Sequence, residues 1–205
     1  MKIAVSFIKS KYDDITTIQK IDETSADYLH VDIMDGKFAG QKNYSVEDIV
    51  NLAKHTSKLL DIHLMVLNPE SYIEGLAHLN VKCITFHVEA TDKVNEIIDL
   101  IHSYGIKAGI SLNPETSVEK IKPYLDRIDE VLIMTVHPGK GGQTFIEEMT
   151  KKIDKLNNLG DYILAVDGGI NAETIKLVKK ADMAISGSFI CESNDYEKSI
   201  EILRG

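Results

Sequence analysis

Short apolar runs alternate with longer amphipathic stretches along the whole chain. The runs are rich in β-branched residues and bounded by polar or glycine-containing segments, which is the pattern of buried strands. They predict eight strands, at residues 3–8, 28–33, 60–66, 83–88, 107–112, 130–136, 162–166 and 183–186.

Helical periodicity fills the segments between these strands. The segment 92–104 ends before Gly105, a residue that commonly stops a helix, and one face carries four apolar residues: Val94, Ile97, Ile98 and Ile101. A second helix is predicted at 172–180, with Asn171 as its N-cap. Buried strands that alternate with helices indicate a parallel sheet covered on both faces.

Eight strand and helix units in 205 residues favour a closed (β/α)8 barrel that forms one α/β domain over residues 1–205. The alternative is an open, doubly wound sheet, in which ligands bind at one switch point of the strand order. The barrel is favoured because polar residues gather at the C-terminal ends of many strands.

Composition limits what the protein can bind and where it can be located. The 32 acidic residues outnumber the 23 basic ones, and the net charge of −9 argues against a nucleic-acid or anionic membrane surface. Only Cys83 and Cys191 are present, so a disulfide framework is excluded and both are expected to be reduced. The apolar stretch 3–8 is too short to span a membrane and lacks a signal-peptide pattern, which predicts a cytoplasmic protein.

Four potential metal ligands lie at the ends of three predicted strands: His30, Asp32, His63 and Asp167. Residues i and i+2 of a strand share a face, so His30 and Asp32 project to the same side. Two neutral imidazoles and two carboxylates carry a formal charge of about minus two, which one divalent cation neutralises. The set predicts one divalent metal ion per chain, with Zn, Fe(II), Mn and Co all compatible with mixed nitrogen and oxygen ligands.

Small residues cluster in the loops after the last three predicted strands. They are Gly141 and Gly142, then Gly168 and Gly169, then Gly187 and Ser188. Glycine lets backbone amides approach an anion, and barrels often bind phosphate after strands seven and eight. These loops predict a phosphate site, although each glycine taken singly is more typical of a tight turn.

The same positions fall within sequence blocks by which the chain resembles the ribulose-phosphate 3-epimerase family over almost its full length. The blocks are LHVDIMDG at 29–36, DIHLMV at 61–66, LNP at 112–114, MTV at 134–136, GGQTFI at 141–146 and VDGGIN at 166–171. The resemblance implies a metal-dependent 3-epimerase of a phosphorylated ketose, and a homo-oligomer. It assigns the metal to His30, Asp32, His63 and Asp167, makes Asp32 and Asp167 the catalytic acid and base, and adds to the substrate site Ser6, Met34, Met65 and Met134. His87 also matches a family histidine, and substrate contact and a structural role are equally compatible with it.

Epimerisation next to a ketone removes a proton from one face of a carbon and returns one to the other. Two carboxyl groups suffice if one is ionised while the other is protonated. The resulting enediolate concentrates negative charge on two adjacent oxygens, which a divalent metal stabilises as a Lewis acid. The resemblance therefore implies D-ribulose 5-phosphate and D-xylulose 5-phosphate as the substrate pair.

Several departures from the family pattern leave the substrate open. The segment Ala39 to Asn43 replaces the usual sequence after the first Asp-Gly block, and Lys140 stands where an aromatic residue is usual. A six-carbon ketose phosphate such as allulose 6-phosphate is the runner-up substrate. A decarboxylase is disfavoured because Val31 and Ile33 stand where related enzymes carry lysine, and a non-catalytic sugar-phosphate-binding barrel is disfavoured by the intact aspartates.

Overall fold

Eight parallel strands close into a barrel in chain order, and β1 pairs with β8 to complete the ring. The computed structural model describes residues 1–205. The strands are β1 (Lys2–Ser6), β2 (Tyr28–Met34), β3 (Leu60–Met65), β4 (Val81–His87), β5 (Lys107–Leu112), β6 (Glu130–Met134), β7 (Ile163–Asp167) and β8 (Met183–Ser186). The predicted (β/α)8 barrel is confirmed.

Helices cover the outside of this barrel. They are α1 (Asp14–Asp22), α2 (Val46–Leu52), α3 (Glu70–Leu76), α4 (Val94–Ser103), α5 (Thr150–Leu156), α6 (Ser188–Cys191) and α7 (Tyr196–Arg204). Short 3-10 helices lie at Ala53–His55, Val118–Lys120, Lys122–Arg127, Glu147–Met149 and Thr174–Leu177. No helix combines the length and the apolar character that crossing a bilayer requires.

Two of the predicted helical connections differ from the α-helices expected. The segment 172–180 contains only the 3-10 helix Thr174–Leu177, and the β5–β6 connection contains two 3-10 helices in succession. Asn171 does act as predicted, because its Oδ1 accepts hydrogen bonds from the backbone of Glu173 and Thr174. A 3-10 helix rises about 2.0 Å per residue against about 1.5 Å for an α-helix, so it spans a short connection with fewer residues.

Two strands end two residues earlier than their apolar runs suggest, and β3 and β4 end one residue earlier. β1 ends at Ser6 and β6 at Met134, each two residues before the predicted end. Phe7 is buried in the core between barrel and helices, and Val136 packs inside the barrel. These apolar side chains serve packing beyond the last strand residue, so hydrophobicity alone does not mark where the strand ends.

The barrel interior is apolar on one side and polar on the other. The apolar side consists of a seven-residue cluster on and after β1, β6, β7 and β8: Ala4, Leu132, Met134, Val136, Ala165, Met183 and Ile185. The opposite side buries charged and polar groups on β2 to β6: His30, Asp32, Asp61, His63, Thr85, His87, Ser111 and Glu130. Since buried polar groups are costly unless they are paired, this half of the interior is where a functional site is expected.

Candidate active site

The four predicted metal ligands, on β2, β3 and β7, converge inside the barrel. Their ligand atoms all lie within 4.8 Å of one another. Asp32 Oδ1 is 3.4 Å from His30 Nε2 and 3.2 Å from His63 Nδ1, and Asp167 Oδ2 is 4.0 Å from that same nitrogen of His63. Ligands bound at about 2.0–2.2 Å lie roughly 3–3.5 Å apart, so this spacing is close to that of a coordination shell.

The orientation of His30 also fits a metal. Its Nδ1 lies 2.7 Å from Asp61 Oδ2, while its Nε2 is buried and makes no hydrogen bond. Burial alone would lower the pKa of His30, but the charges of Asp32 and Asp61 raise it well above the ordinary value. A cation facing Nε2 would satisfy this orphaned atom and displace its proton.

A buried ion-pair network lies behind His30. Asp61 Oδ1 is 3.1 Å from the ammonium of Lys82, and Lys82 also pairs with Glu130 on β6. All three side chains are nine-tenths or more buried. Burial, followed by the charge of Asp61, raises the pKa of Glu130 to about 7. The network therefore fixes Asp61, and Asp61 in turn fixes the ring of His30.

His63 is fixed by a second chain of hydrogen bonds. Its Nε2 lies 2.9 Å from His87 Nε2, and His87 Nδ1 lies 3.2 Å from Glu89 Oε2. Burial lowers the pKa of His63 and lowers that of His87 to about 4, so both rings are neutral near pH 7. With Glu89 accepting from His87, and His87 accepting from His63, the lone pair of His63 Nδ1 is directed at the two aspartates.

The two aspartates have opposite protonation tendencies. Burial raises the pKa of Asp32, but the positive charge of His30 outweighs it, so the pKa falls. Ser6 Oγ also donates to Asp32 Oδ2 at 2.7 Å. Burial and then the negative charge of Asp32 raise the pKa of Asp167 to about 7. One carboxyl is held ionised and the other can hold a proton, as acid/base catalysis by a carboxyl pair requires.

A cleft opens above these residues. It is lined by Asp32, Asp167 and nine of the ten predicted substrate-binding residues: Ser6, Met65, Met134, Gly141, Gly142, Gly168, Gly169, Gly187 and Ser188. Met34 is the exception, because it lines a neighbouring cleft. Gly169 has a φ of +66°, and a Cβ there would approach the backbone nitrogen of Phe145 to 2.7 Å, so this turn requires glycine.

Sequence reasoning missed the residues that support the ligands. Asp61 carried a usable signal, because it lies two residues before His63 and therefore faces the same side of β3. Asn43 carried none: it lies in the atypical segment after β2, where its side chain bonds both the Asp32 carbonyl and the Met34 amide at 2.8 Å. Lys82 and Glu130 are 48 residues apart, and only the closed barrel brings them together.

Solved structures with the same architecture have low sequence identity to this chain. A crystal structure of KGPDC from Streptococcus mutans superposes with a TM-score of 0.75 at 16% identity, covering 98% of this chain and 94% of that chain. A tryptophan synthase structure from Mycobacterium tuberculosis gives a TM-score of 0.71 at 13% identity, covering 98% and 91%. These likenesses concern the fold alone.

Sequence relatives are more specific. The chain is 34% identical to a ribulose-phosphate 3-epimerase of Bacillus subtilis, covering 100% of this chain and 99% of the relative. It is 37% identical to one of Methanocaldococcus jannaschii, covering 100% and 90%, and 36% identical to a cytoplasmic isoform of Oryza sativa, covering 99% and 92%. A model of the ribulose-phosphate 3 epimerase family matches residues 2–191. The resemblance and the enzyme class inferred from the sequence are confirmed, and the chain belongs to the ribulose-phosphate 3-epimerase family.

Proposed function

We propose that this protein epimerises D-ribulose 5-phosphate and D-xylulose 5-phosphate at C3. The observation that carries the proposal is the aspartate pair: two carboxyls within 4.8 Å, one with a lowered pKa and one with a pKa of about 7, at the floor of a cleft. Family membership supports the same reaction. The homo-oligomer and the single domain expected from the sequence stay predictions.

The two aspartates divide the proton transfers between them. Asp32, ionised and held by Ser6, accepts the C3 proton of the substrate, and Asp167 returns a proton to the opposite face. In the reverse direction the roles exchange. Because Asp167 accepts no side-chain hydrogen bond, its proton is free to move to substrate.

The donor set fits one divalent ion per chain, held by His30 Nε2, Asp32, His63 Nδ1 and Asp167. When bound, such an ion supplies Lewis-acid stabilisation for the negative charge that develops on the substrate oxygens. The glycine loops after β6, β7 and β8 would hold the phosphate and fix which carbon faces the carboxyls. Met65 and Met134 contribute polarizable, non-basic surface beside that carbon.

The test is an NMR assay in deuterated water with D-ribulose 5-phosphate and, in parallel, allulose 6-phosphate. We expect the pentulose to be epimerised with solvent deuterium at C3, and kcat/KM for the hexulose to be at least about tenfold lower. Asp32→Asn, measured alongside, should show neither product nor exchange. Product that keeps its original hydrogen would contradict the two-carboxyl mechanism, and the reverse substrate order would favour the six-carbon ketose.

A further inference from the structure

A second cleft opens beside the active site, between the loops that follow β1, β2 and β6. It is lined by three lysines, one from each loop: Lys9, Lys42 and Lys140. Met34 and Gly141 line it as well, and Lys140 and Gly141 also line the reaction cleft, the cleft above Asp32 and Asp167. The two clefts are therefore neighbours that share the β6 loop.

The charged residues that line this lysine cleft are all positive. No carboxylate lines it, although acidic residues outnumber basic ones by 32 to 23 in the chain. Lys42 and Lys140 form no ion pair, and the only ion pair of Lys9 joins its Nζ to Glu192 Oε1 at 3.4 Å, with both side chains about half exposed. Three lysines and no carboxylate line one concave site, so an anion bound there would meet a positive local field.

The backbone next to Lys9 is adapted to its side chain. A Cβ placed on Gly142 would approach the Nζ of Lys9 to 2.5 Å, and a Cβ on Gly141 would approach the Cβ of Lys9 to 2.8 Å. The β6 loop can lie directly on this lysine because position 141 is glycine, whereas at Gly142 it is the φ of +74° that favours glycine. The ammonium of Lys9 consequently lies against backbone that also borders the reaction cleft.

We propose that Lys9, Lys42 and Lys140 bind a phosphate monoester dianion in this cleft. Ammonium groups are effective phosphate ligands, and a dianion is the ligand charge that three lysines without carboxylates favour. The dianion is either the phosphate of the sugar-phosphate substrate, which the lysines would then hold together with the β6 glycine loop, in which case the inference rests on the proposed function, or a separate phosphorylated molecule next to it.

The direct test is calorimetric titration of the protein with inorganic phosphate at low ionic strength. Lys9→Met, Lys42→Met and Lys140→Met each remove one ammonium and keep an aliphatic side chain. Two control variants remove the same charge from the same loops. Lys37→Met changes an exposed lysine in the loop that contains Lys42. Lys11→Met changes the lysine two residues after Lys9, whose Nζ donates a hydrogen bond to Asn194. We expect each cleft variant to weaken phosphate binding about three- to tenfold and each control less than twofold. Equal weakening in all five variants would indicate only a general field, and unchanged binding in the cleft variants would overturn the site.

Kinetics separates the two sources of the dianion. If it belongs to the substrate, cleft variants raise KM and the inhibition constant of inorganic phosphate together, while kcat stays unchanged. If a separate molecule binds, the variants alter inhibition by phosphate and leave KM unchanged. Should wild type fail to epimerise either sugar phosphate, the proposed function fails, and the titration still decides the lysine cleft on its own.

Discussion

Asp32 and Asp167 are the same residue type in one site, yet their neighbours give them different chemistry. Asp32 accepts a hydrogen bond from Ser6 and faces the positive charge of His30, and both stabilise its ionised form. Asp167 accepts no side-chain hydrogen bond and faces the negative charge of Asp32. Buried carboxyls without donors favour the protonated form, so the contact pattern supports the proposed roles of Asp32 as base and Asp167 as acid.

Replacing either carboxyl should remove nearly all turnover. General acid/base groups contribute about 10²–10⁴-fold, so we expect Asp32→Asn and Asp167→Asn each to lower kcat by at least about a thousandfold. The measurement is a coupled assay at saturating substrate and metal, with thermal melts to verify folding. Asp154→Asn, which alters an exposed ion pair with Lys180, is the control and should behave as wild type. A variant of either active-site aspartate that keeps a tenth of the turnover would contradict its role.

The strands show what sequence patterning can and cannot predict. β5 and β8 have the predicted bounds, and each run is followed directly by a polar residue or glycine, Asn113 after β5 and Gly187 after β8. His30 and Asp32 were placed together because the two-residue period of a strand fixes their common face. The 3-10 helix Thr174–Leu177 was missed because its apolar spacing also fits an α-helix, and only the length of the connection decides between them.

The ion-pair network behind His30 shows which contacts between paired strands a sequence pattern cannot predict. Lys82 lies near the start of β4, where a lysine normally remains solvated, but the register between β3 and β4 shifts between Leu60 and Asp61. Lys82 reaches Asp61 and Glu130 inside the barrel instead. Such a contact depends on register and closure, which no local pattern in the sequence encodes.

This network predicts an effect on metal affinity that does not depend on turnover. Asp61→Asn removes the charge that orients His30, and loss of such a supporting carboxylate typically weakens metal binding about 10- to 100-fold. Glu130→Gln is the matched control, because Glu130 is equally buried but does not contact His30, and we expect less than a threefold change. Competition with a chromophoric chelator measures both affinities. Equal losses in the two variants would mean that the network acts through general stability and not through His30.

The stability of the whole barrel depends on partners for the charged and polar groups that are buried in one half of its interior. One half of the barrel interior consists of seven packed apolar residues. The other half, around His63, buries two aspartates that contact histidine rings, together with an ion-pair network. Buried polar and charged groups without partners are costly. The unpartnered Nε2 of His30 and the two facing carboxyls therefore lower the free energy of unfolding of the metal-free protein. Metal binding and global stability should therefore be coupled.

Chelation should consequently lower the melting temperature of the wild-type protein. A ligand present at 100 times its Kd stabilises the native state by about 2.7 kcal/mol, which for a chain of this size corresponds to roughly 5–10 °C in Tm. Calorimetry with and without chelator measures the shift, and metal analysis of the untreated protein should give about one ion per chain. Asp167→Asn is the informative control: its side chain accepts no hydrogen bond, so the substitution should leave the metal-free fold intact while weakening the metal site. We therefore expect its Tm to respond much less to chelator, and a wild-type Tm that is unchanged by complete removal of one bound ion would contradict the coupling.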